Sequence, residues 1–448
     1  MRLTLIRPSM ISGRAADATE PLVFALLAAL TPAGVECCFY DERLEALPRA
    51  EATDLVALSV DTFSARRAYQ VASAYQERGV PVVLGGHHPT LLADEALCFA
   101  HTVVRGDAEG IWPQLVADAQ AGRLQRCYQN RLPSLAGVTG DRRVFAGKPY
   151  RHLSLVEFGR GCPHACDFCS VHAFYGSTHR HRAVPEVVAE LAGLSGQHVF
   201  FTDDNLLADV PAALELLRAL TPARLRWSCQ ASLDGLAQGG VLPALAASGC
   251  GSVTVGFESL VPDNLRQMRK AWNAGPGHYA DLVARCRDHG IMVYGTFVFG
   301  YDHDTPDVFA RTLEFAIGSK LFLANFNPLT PTPGTALYER LRQEGRLLRP
   351  RWWLDPHFRY GEALFRPRQM TPEQLAAGCH WARTEFNRGR SIVARACDRH
   401  ANAGSWHNLG LFLAANLISR REIRRKQGQP LGGDEPLQAR FGELPACG

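Results

Sequence analysis

The strongest constraint on this chain's fold is a twofold run of short apolar strands alternating with helical-period stretches, with no two-residue hairpin turn between them. In the first 121 residues strand-like runs fall at Leu3–Ile6, Val35–Tyr40, Leu55–Val60, Val82–Leu84 and Thr102–Arg105. Helical periodicity fills Pro21–Leu30, Ala65–Arg78 and Ile111–Ala121. Continuously apolar strands joined by helices argue for a parallel, doubly wound sheet covered on both faces. From Leu153 six further units begin, with strands at Leu153–Phe158, His198–Thr202, Arg226–Ala231, Ser252–Phe257, Met292–Phe299 and Phe322–Pro328. Parallel crossovers are the economical way to connect them. Six units do not close an eight-stranded barrel, so a partial, TIM-like (β/α)6 barrel is expected. The reading is α/β: a doubly wound domain over 1–121, a linker over 122–152, the barrel over 153–345 and a mainly helical region over 346–448. Ligands of both architectures bind beyond the carboxyl ends of the strands.

Directly after the first barrel strand stands Gly159-Arg-Gly-Cys-Pro-His-Ala-Cys-Asp-Phe-Cys-Ser170. Its three cysteines, Cys162, Cys166 and Cys169, have no fourth cysteine nearby; the next is Cys229. Three thiolates can hold three irons of a cubane cluster and leave the fourth iron open to a small molecule, whereas a closed structural zinc site takes four ligands. A zinc site completed by His164 or His172, or thiols clustered by chance, is the alternative. The remaining cysteines are scattered, and the total of 13 is odd, which suits a reducing compartment. A net charge of +4 with 21% charged residues gives neither a nucleic-acid footprint nor an acidic-substrate funnel. The chain opens directly into a strand pattern, and its longest late apolar run, Leu409 to Ile418, is half a membrane span. A cytoplasmic protein is expected.

The Cys-x-x-x-Cys-x-aromatic-Cys pattern resembles the signature of the radical S-adenosylmethionine (SAM) enzymes. That resemblance implies a [4Fe–4S] cluster on Cys162, Cys166 and Cys169, SAM on the open iron, and Phe168 near the adenine. It implies SAM contacts at the other strand ends: Asp203 and Asp204 in Phe201-Thr-Asp-Asp-Asn205 for the ammonium, Ser232 in Gln230-Ala-Ser-Leu-Asp234, and Glu258 in Gly256-Phe-Glu-Ser259. The N-terminal unit is similar to the Rossmann-like cobalamin-binding domain of one large radical SAM subfamily, through Gly85-Gly86-His-His-Pro-Thr90 and Gly106-Asp-Ala-Glu109. Ser59, Thr62, Gly85, Gly86 and Glu109 are the residues this resemblance assigns to cobalamin. The Asp-x-His-x-x-Gly motif that supplies a cobalt-ligating histidine in many corrinoid proteins is absent.

The same resemblance implies the activity. Reduction of SAM by the cluster releases a 5′-deoxyadenosyl radical, with an electron donor such as a flavodoxin or ferredoxin, and cobalamin serves methylation of an unactivated carbon in a specialised metabolite or lipid. Cyclisation, rearrangement, oxidation or another SAM-derived group transfer is the second reading, and a corrinoid or cluster sensor without turnover the third. No residue is assigned a direct catalytic role by sequence. Toward the end, Trp352, Trp353, Phe358, Tyr360 and Phe365 form an aromatic stretch that either covers the barrel's open side or packs as core. The Leu409–Ile418 run ahead of Arg420-Arg-Glu-Ile-Arg-Arg-Lys426 reads as a partner or core helix in preference to a membrane-surface one.

Overall fold

In the computed structural model, which describes residues 1–48, 51–194, 198–273 and 276–444, the leucine- and valine-rich runs of the N-terminal half form one parallel sheet. Its strands are β1 (Arg2–Arg7), β2 (Glu36–Asp41), β3 (Leu55–Ser59), β4 (Val82–Gly85), β5 (Thr102–Arg105) and β6 (Cys127–Gln129), in the order β2-β1-β3-β4-β5-β6. Both faces of the inner strands are buried, as strands between two helix layers must be. Ile6, Val56 and Leu58 pack on Tyr69 and Ala72 of the helix Ala65–Glu77. Leu3, Leu5, Ala57 and Val83 meet Phe24 and Leu27 of the helix Leu22–Leu30 and Trp112 and Leu115 of Trp112–Gln120.

Residues 122–152 are more than the expected linker. They add β6 beside β5, and Tyr128 and Phe145 bury in the same core as Phe24 and Phe39. A three-residue edge strand with one buried side chain carries no periodicity to detect.

The second half supplies β7 (Ser154–Val156), β8 (Gly159–Gly161), β9 (His179–His181), β10 (His198–Phe201), β11 (Arg226–Gln230), β12 (Cys250–Glu258), β13 (Met292–Phe299) and β14 (Leu323–Pro328). Six of them make a parallel sheet in the order β14-β13-β12-β11-β10-β7, the six-unit partial barrel read from sequence. Between this sheet and its covering helices Phe257, Phe297 and Phe326 stack with ring centroids 5.5 and 5.6 Å apart. β8 and β9 form an antiparallel ribbon that brackets the cysteine loop, an element the sequence reading missed. The loop's entry needs Gly161, at φ +86°, because a Cβ there would run into the carbonyl of Thr178, just ahead of the facing strand.

The C-terminal region ties the halves together. The helix Pro372–Phe386, started by a reciprocal Thr371–Gln374 capping box, buries Leu375, Cys379 and Phe386 against the barrel and flanks edge strand β14. The aromatic stretch packs as core, and mostly on the other half: Trp352, Trp353 and Phe358 bury with Leu58 of the N-terminal sheet and Tyr69 of its helix Ala65–Glu77, while Phe365 joins the barrel. Trp353 donates its indole N–H to the buried Glu95 at 2.9 Å. Among the described residues no helix is long and apolar enough to cross a membrane.

Candidate active site between the two sheets

The loop bearing Cys162, Cys166 and Cys169 leaves β8 and ends in the helix Ser170–Tyr175. Cys166 is buried and the other two are half-buried. Burial raises all three thiols, Cys166 to about 12; the neighbouring thiols add to the effect at Cys162 and Cys166, and Asp204 and Glu258 at Cys169. The backbone N–H of His164 at Cys162, those of Val171 and His172 at Cys169, and the Lys270 ammonium beside Cys166 act the other way. Buried thiols that already meet N–H dipoles and a cation suit thiolates on a metal centre. Among the described residues no three His, Cys, Asp or Glu side chains surround a single ion; a cluster asks each thiolate to meet its own iron, and the donor set fits that group. Neither histidine of the zinc alternative faces the thiols as a fourth ligand. The His164 ring stacks on Trp272 at 3.8 Å with Nε2 3.3 Å from Asp234, and His172 Nδ1 meets the Ser177 hydroxyl at 3.4 Å.

Carboxylates brace this loop. Asp203 accepts from the N–H groups of Phe158 at 3.0 Å and Gly159 at 2.6 Å, so both oxygens serve the backbone where β7 passes into β8. Asp203, expected at the SAM ammonium, is thus also a buried strut under the loop. Asp204 accepts from Gly161 N–H at 2.9 Å and is half-buried at the site, with burial raising its pKa. Asp167, inside the cysteine loop, accepts from the Tyr301 hydroxyl at 2.5 Å and so fixes the loop to the end of β13.

At the mouth of the barrel Ser232 and Asn205 are joined twice, Asn205 Nδ2 donating to Ser232 Oγ at 3.0 Å and Ser232 N–H to Asn205 Oδ1 at 3.1 Å. The Asn205 side chain also lies beside Cys162, where it favours the thiolate. Glu258 stands at a bulge in β12 with φ +63°, a conformation that costs a non-glycine residue roughly 1–3 kcal/mol and collects at functional sites. Its carboxylate pairs with Lys270 at 2.8 Å, and Lys270 also donates to the Gly256 carbonyl at 2.8 Å. Sequence reasoning missed Lys270, since it lies in a loop with no strand-end signal. Phe168 is half-buried against the barrel core beside Cys169.

A cavity of about 400 Å³ lies between the halves. Ser59, Gly85, Gly86, His87 and Glu109 line it from the N-terminal strand ends, and Glu157, Arg160, Phe174 and Tyr175 from the cysteine-loop side. It continues as an apolar slot between the sheet and its helices, walled by Leu26, Leu27, Ala57, Val83, Val104 and Trp112. Small strand residues facing an apolar helix layer fit the flat organic part of a corrinoid cofactor. Thr62 is buried in the turn Thr62–Ser64 and does not line the cavity. His87 lies 4.6 Å from the Phe174 ring, centroid to centroid, and burial lowers its pKa. Gly86 has φ +102°, and a Cβ there would sit 2.8 Å from the Val60 carbonyl oxygen. Gly86→Ala is therefore expected to cost about 1–3 kcal/mol. Displacing the cavity wall is expected to weaken corrinoid retention by about tenfold for each 1.4 kcal/mol. Thermal melting and the cobalamin absorbance kept after gel filtration measure the two effects.

One cation joins the two halves of the site. Arg160, two residues before Cys162, lies 2.8 Å from Glu157, 3.3 Å from Asp107 and 2.7 Å from Glu109. Asp107 also accepts from Arg180 at 2.8 Å and from the Tyr175 hydroxyl at 2.9 Å. The Gly106–Glu109 loop thus docks on the cysteine loop as well as lining the cavity.

Comparison with known proteins agrees with this geometry. The "Radical SAM superfamily" family matches residues 156–316, and the "B12 binding domain" family matches residues 13–116. The bacteriochlorophyllide d C-12(1)-methyltransferase of Chlorobaculum tepidum is 28% identical over 408 residues, covering 87% of this chain and 88% of that protein. The hopanoid C-2 methylase of Rhodopseudomonas palustris is 30% identical over 207 residues, 44% of this chain and 39% of that protein. In fold, the chain is similar to the radical SAM methyltransferase TsrM from Kitasatospora setae with cobalamin and a [4Fe-4S] cluster bound, with a TM-score of 0.60, 17% identity and coverage of 77% and 75%. With its cysteine loop at the mouth of a six-unit barrel and its N-terminal sheet facing that mouth, the chain is a radical SAM enzyme with an N-terminal B12-binding domain, similar to methyltransferases of that architecture.

Proposed function

We propose that the protein methylates an unactivated carbon of a specialised metabolite or lipid, and that a large, apolar, polycyclic compound is the class to test first. The observation that carries this reading is the shared cavity, walled on one side by the N-terminal strand ends and on the other by the cysteine-loop elements that Arg160 clamps to them. Relatives that act on a bacteriochlorophyllide and on a hopanoid support the substrate class.

When bound, the [4Fe–4S] cluster supplies the electron that cleaves SAM, and the corrinoid supplies a methyl group for transfer. The chain's own residues position these partners and keep water out. Cys162, Cys166 and Cys169 hold the cluster, with backbone N–H groups beside two of the sulfurs. Asp204, Ser232 and Glu258 offer acceptors to the polar groups of SAM at adjacent strand ends, and Lys270 holds the Glu258 carboxylate in place. Gly85 and Gly86 let the β4 end approach the corrinoid closely, and the Leu27–Trp112 slot takes its apolar portion. An external one-electron donor of the flavodoxin or ferredoxin kind completes the system.

The test is anaerobic reconstitution with iron, sulfide and hydroxocobalamin, then reaction with methyl-deuterated SAM, a strong reductant and candidate bacteriochlorophyllides or hopanoids. The expected result is 5′-deoxyadenosine together with a product carrying the labelled methyl group. Formation of 5′-deoxyadenosine with a changed but unlabelled product would assign the chain to cyclisation, rearrangement or oxidation.

A further inference from the structure

We propose that the outer face of the C-terminal helix Trp406–Lys426 rests on an anionic lipid surface. The inner face of this helix is ordinary core. Phe412 buries with Met292, Phe322, Ile392 and Ala401, and the Asn416 amide donates to the Phe322 carbonyl at 3.2 Å. The outer face is apolar as well, which the sequence reading as a core or partner helix leaves unexplained. Trp406 is 90% exposed, Leu413 41% and Leu417 60%, and their spacing puts them on one stripe. The adjoining helix Gly389–Ala396, whose Ile392 and Ala396 pack with Phe412 and Ala415, turns Val393 outward at 65% exposure. Single exposed apolar side chains are common on protein surfaces; a stripe of them beside a neighbouring apolar residue marks a contact surface.

Charge decides what the surface meets. The same stripe continues into Arg420, Arg421 and Arg424, all exposed. Among the described residues none of these three forms an ion pair, whereas Arg425 pairs with Glu422 at 2.8 Å and Lys426 with Asp17 at 3.0 Å. Glu422 itself is buried, and no acidic residue occurs from Arg399 to Arg421. A face that is apolar for three turns, carries an exposed tryptophan at one end and uncompensated arginines at the other complements acyl chains beneath negatively charged headgroups. Since no described helix can span a bilayer, the contact is peripheral.

Flotation of the full reconstituted chain with vesicles tests this independently of any reaction. Vesicles of phosphatidylcholine with phosphatidylglycerol are expected to carry the protein up the gradient, phosphatidylcholine alone is not, and high salt is expected to release it. The R420Q/R421Q/R424Q variant is expected to partition on the order of a hundredfold less, at about one kcal/mol for each arginine. A W406S/L417S variant is expected to lose at least about tenfold. Unchanged melting temperature and iron content of both variants separate lost contact from lost fold. No flotation of the wild-type chain on anionic vesicles overturns the proposal, and so does equal flotation of wild type and the arginine variant. A concentration-dependent dimer abolished by W406S/L417S would give the face to a second copy instead.

Discussion

Arg160→Met is expected to lower stability by roughly 3–5 kcal/mol, because removing one partner of a buried charge network leaves the others uncompensated. Three carboxylates converge on that guanidinium, and Asp107 and Glu109 are almost fully buried. Methionine preserves the volume of the stem but none of the charge. Burial already lifts Glu157 above the usual carboxyl range despite Arg160. An acid whose folded pKa is raised binds its proton more readily in the folded state. The variant's deficit is therefore expected to be largest near neutral pH and to narrow as the pH falls through the acid range. Arg160→Lys is expected to recover only part of the loss, since one ammonium cannot meet three carboxylates in the fork geometry of a guanidinium. Denaturant melts across pH measure the stability terms, and cobalamin retention reports whether the Gly106–Glu109 loop has come away. Wild-type melting and retention in Arg160→Met would remove this clamp from the account.

Cys162→Ala, Cys166→Ala and Cys169→Ala are each expected to reduce 5′-deoxyadenosine formation to background and to lose most of the iron gained on reconstitution. The reason is geometric: three thiolates are the smallest set that holds a cluster while keeping one iron open to SAM, so no spare ligand exists. Stability of the metal-free chains is expected to stay within about 1–2 kcal/mol of wild type, because the change removes one sulfur and no strut. Cys229→Ala makes a useful control, since Cys229 is buried inside β11 within the barrel core. Iron assay and electron paramagnetic resonance separate the two cases. A triplet variant that kept its iron and its SAM cleavage would show that the cluster is held elsewhere.

Much of the architecture was legible because a parallel sheet between helix layers writes itself into sequence as repeated apolar runs at helix-length intervals. Five of the six N-terminal strands and all six barrel strands were found that way, with ends shifted by at most two residues. β6 and the β8–β9 ribbon were not, because short, polar or glycine-bearing strands have no apolar period and exist only where a partner strand offers hydrogen bonds. The cysteine triplet was legible because its three ligands lie within eight residues of one loop. The supporting shell was not. Asp203 and Asp204 are neighbours in sequence with the same chemistry, yet the backbone N–H groups of Phe158 and Gly159 occupy both oxygens of Asp203 while Gly161 engages Asp204.

The sequence by itself determined the two parallel α/β units, the three-thiolate loop at the end of the first barrel strand, and the family they resemble, because each is encoded by local periodicity or spacing. Only the tertiary structure decided what those parts do together. It brought Arg160 of the cysteine loop to Asp107 and Glu109 of the other sheet, set Lys270 against Glu258, sent Trp352 and Trp353 into the N-terminal core, and turned Trp406, Leu413 and Leu417 outward. The physical reason is common to all four. Partner choice between distant segments depends on sheet register and on which faces are left to bury after the local elements have formed, and neither is written in the spacing of residues along the chain.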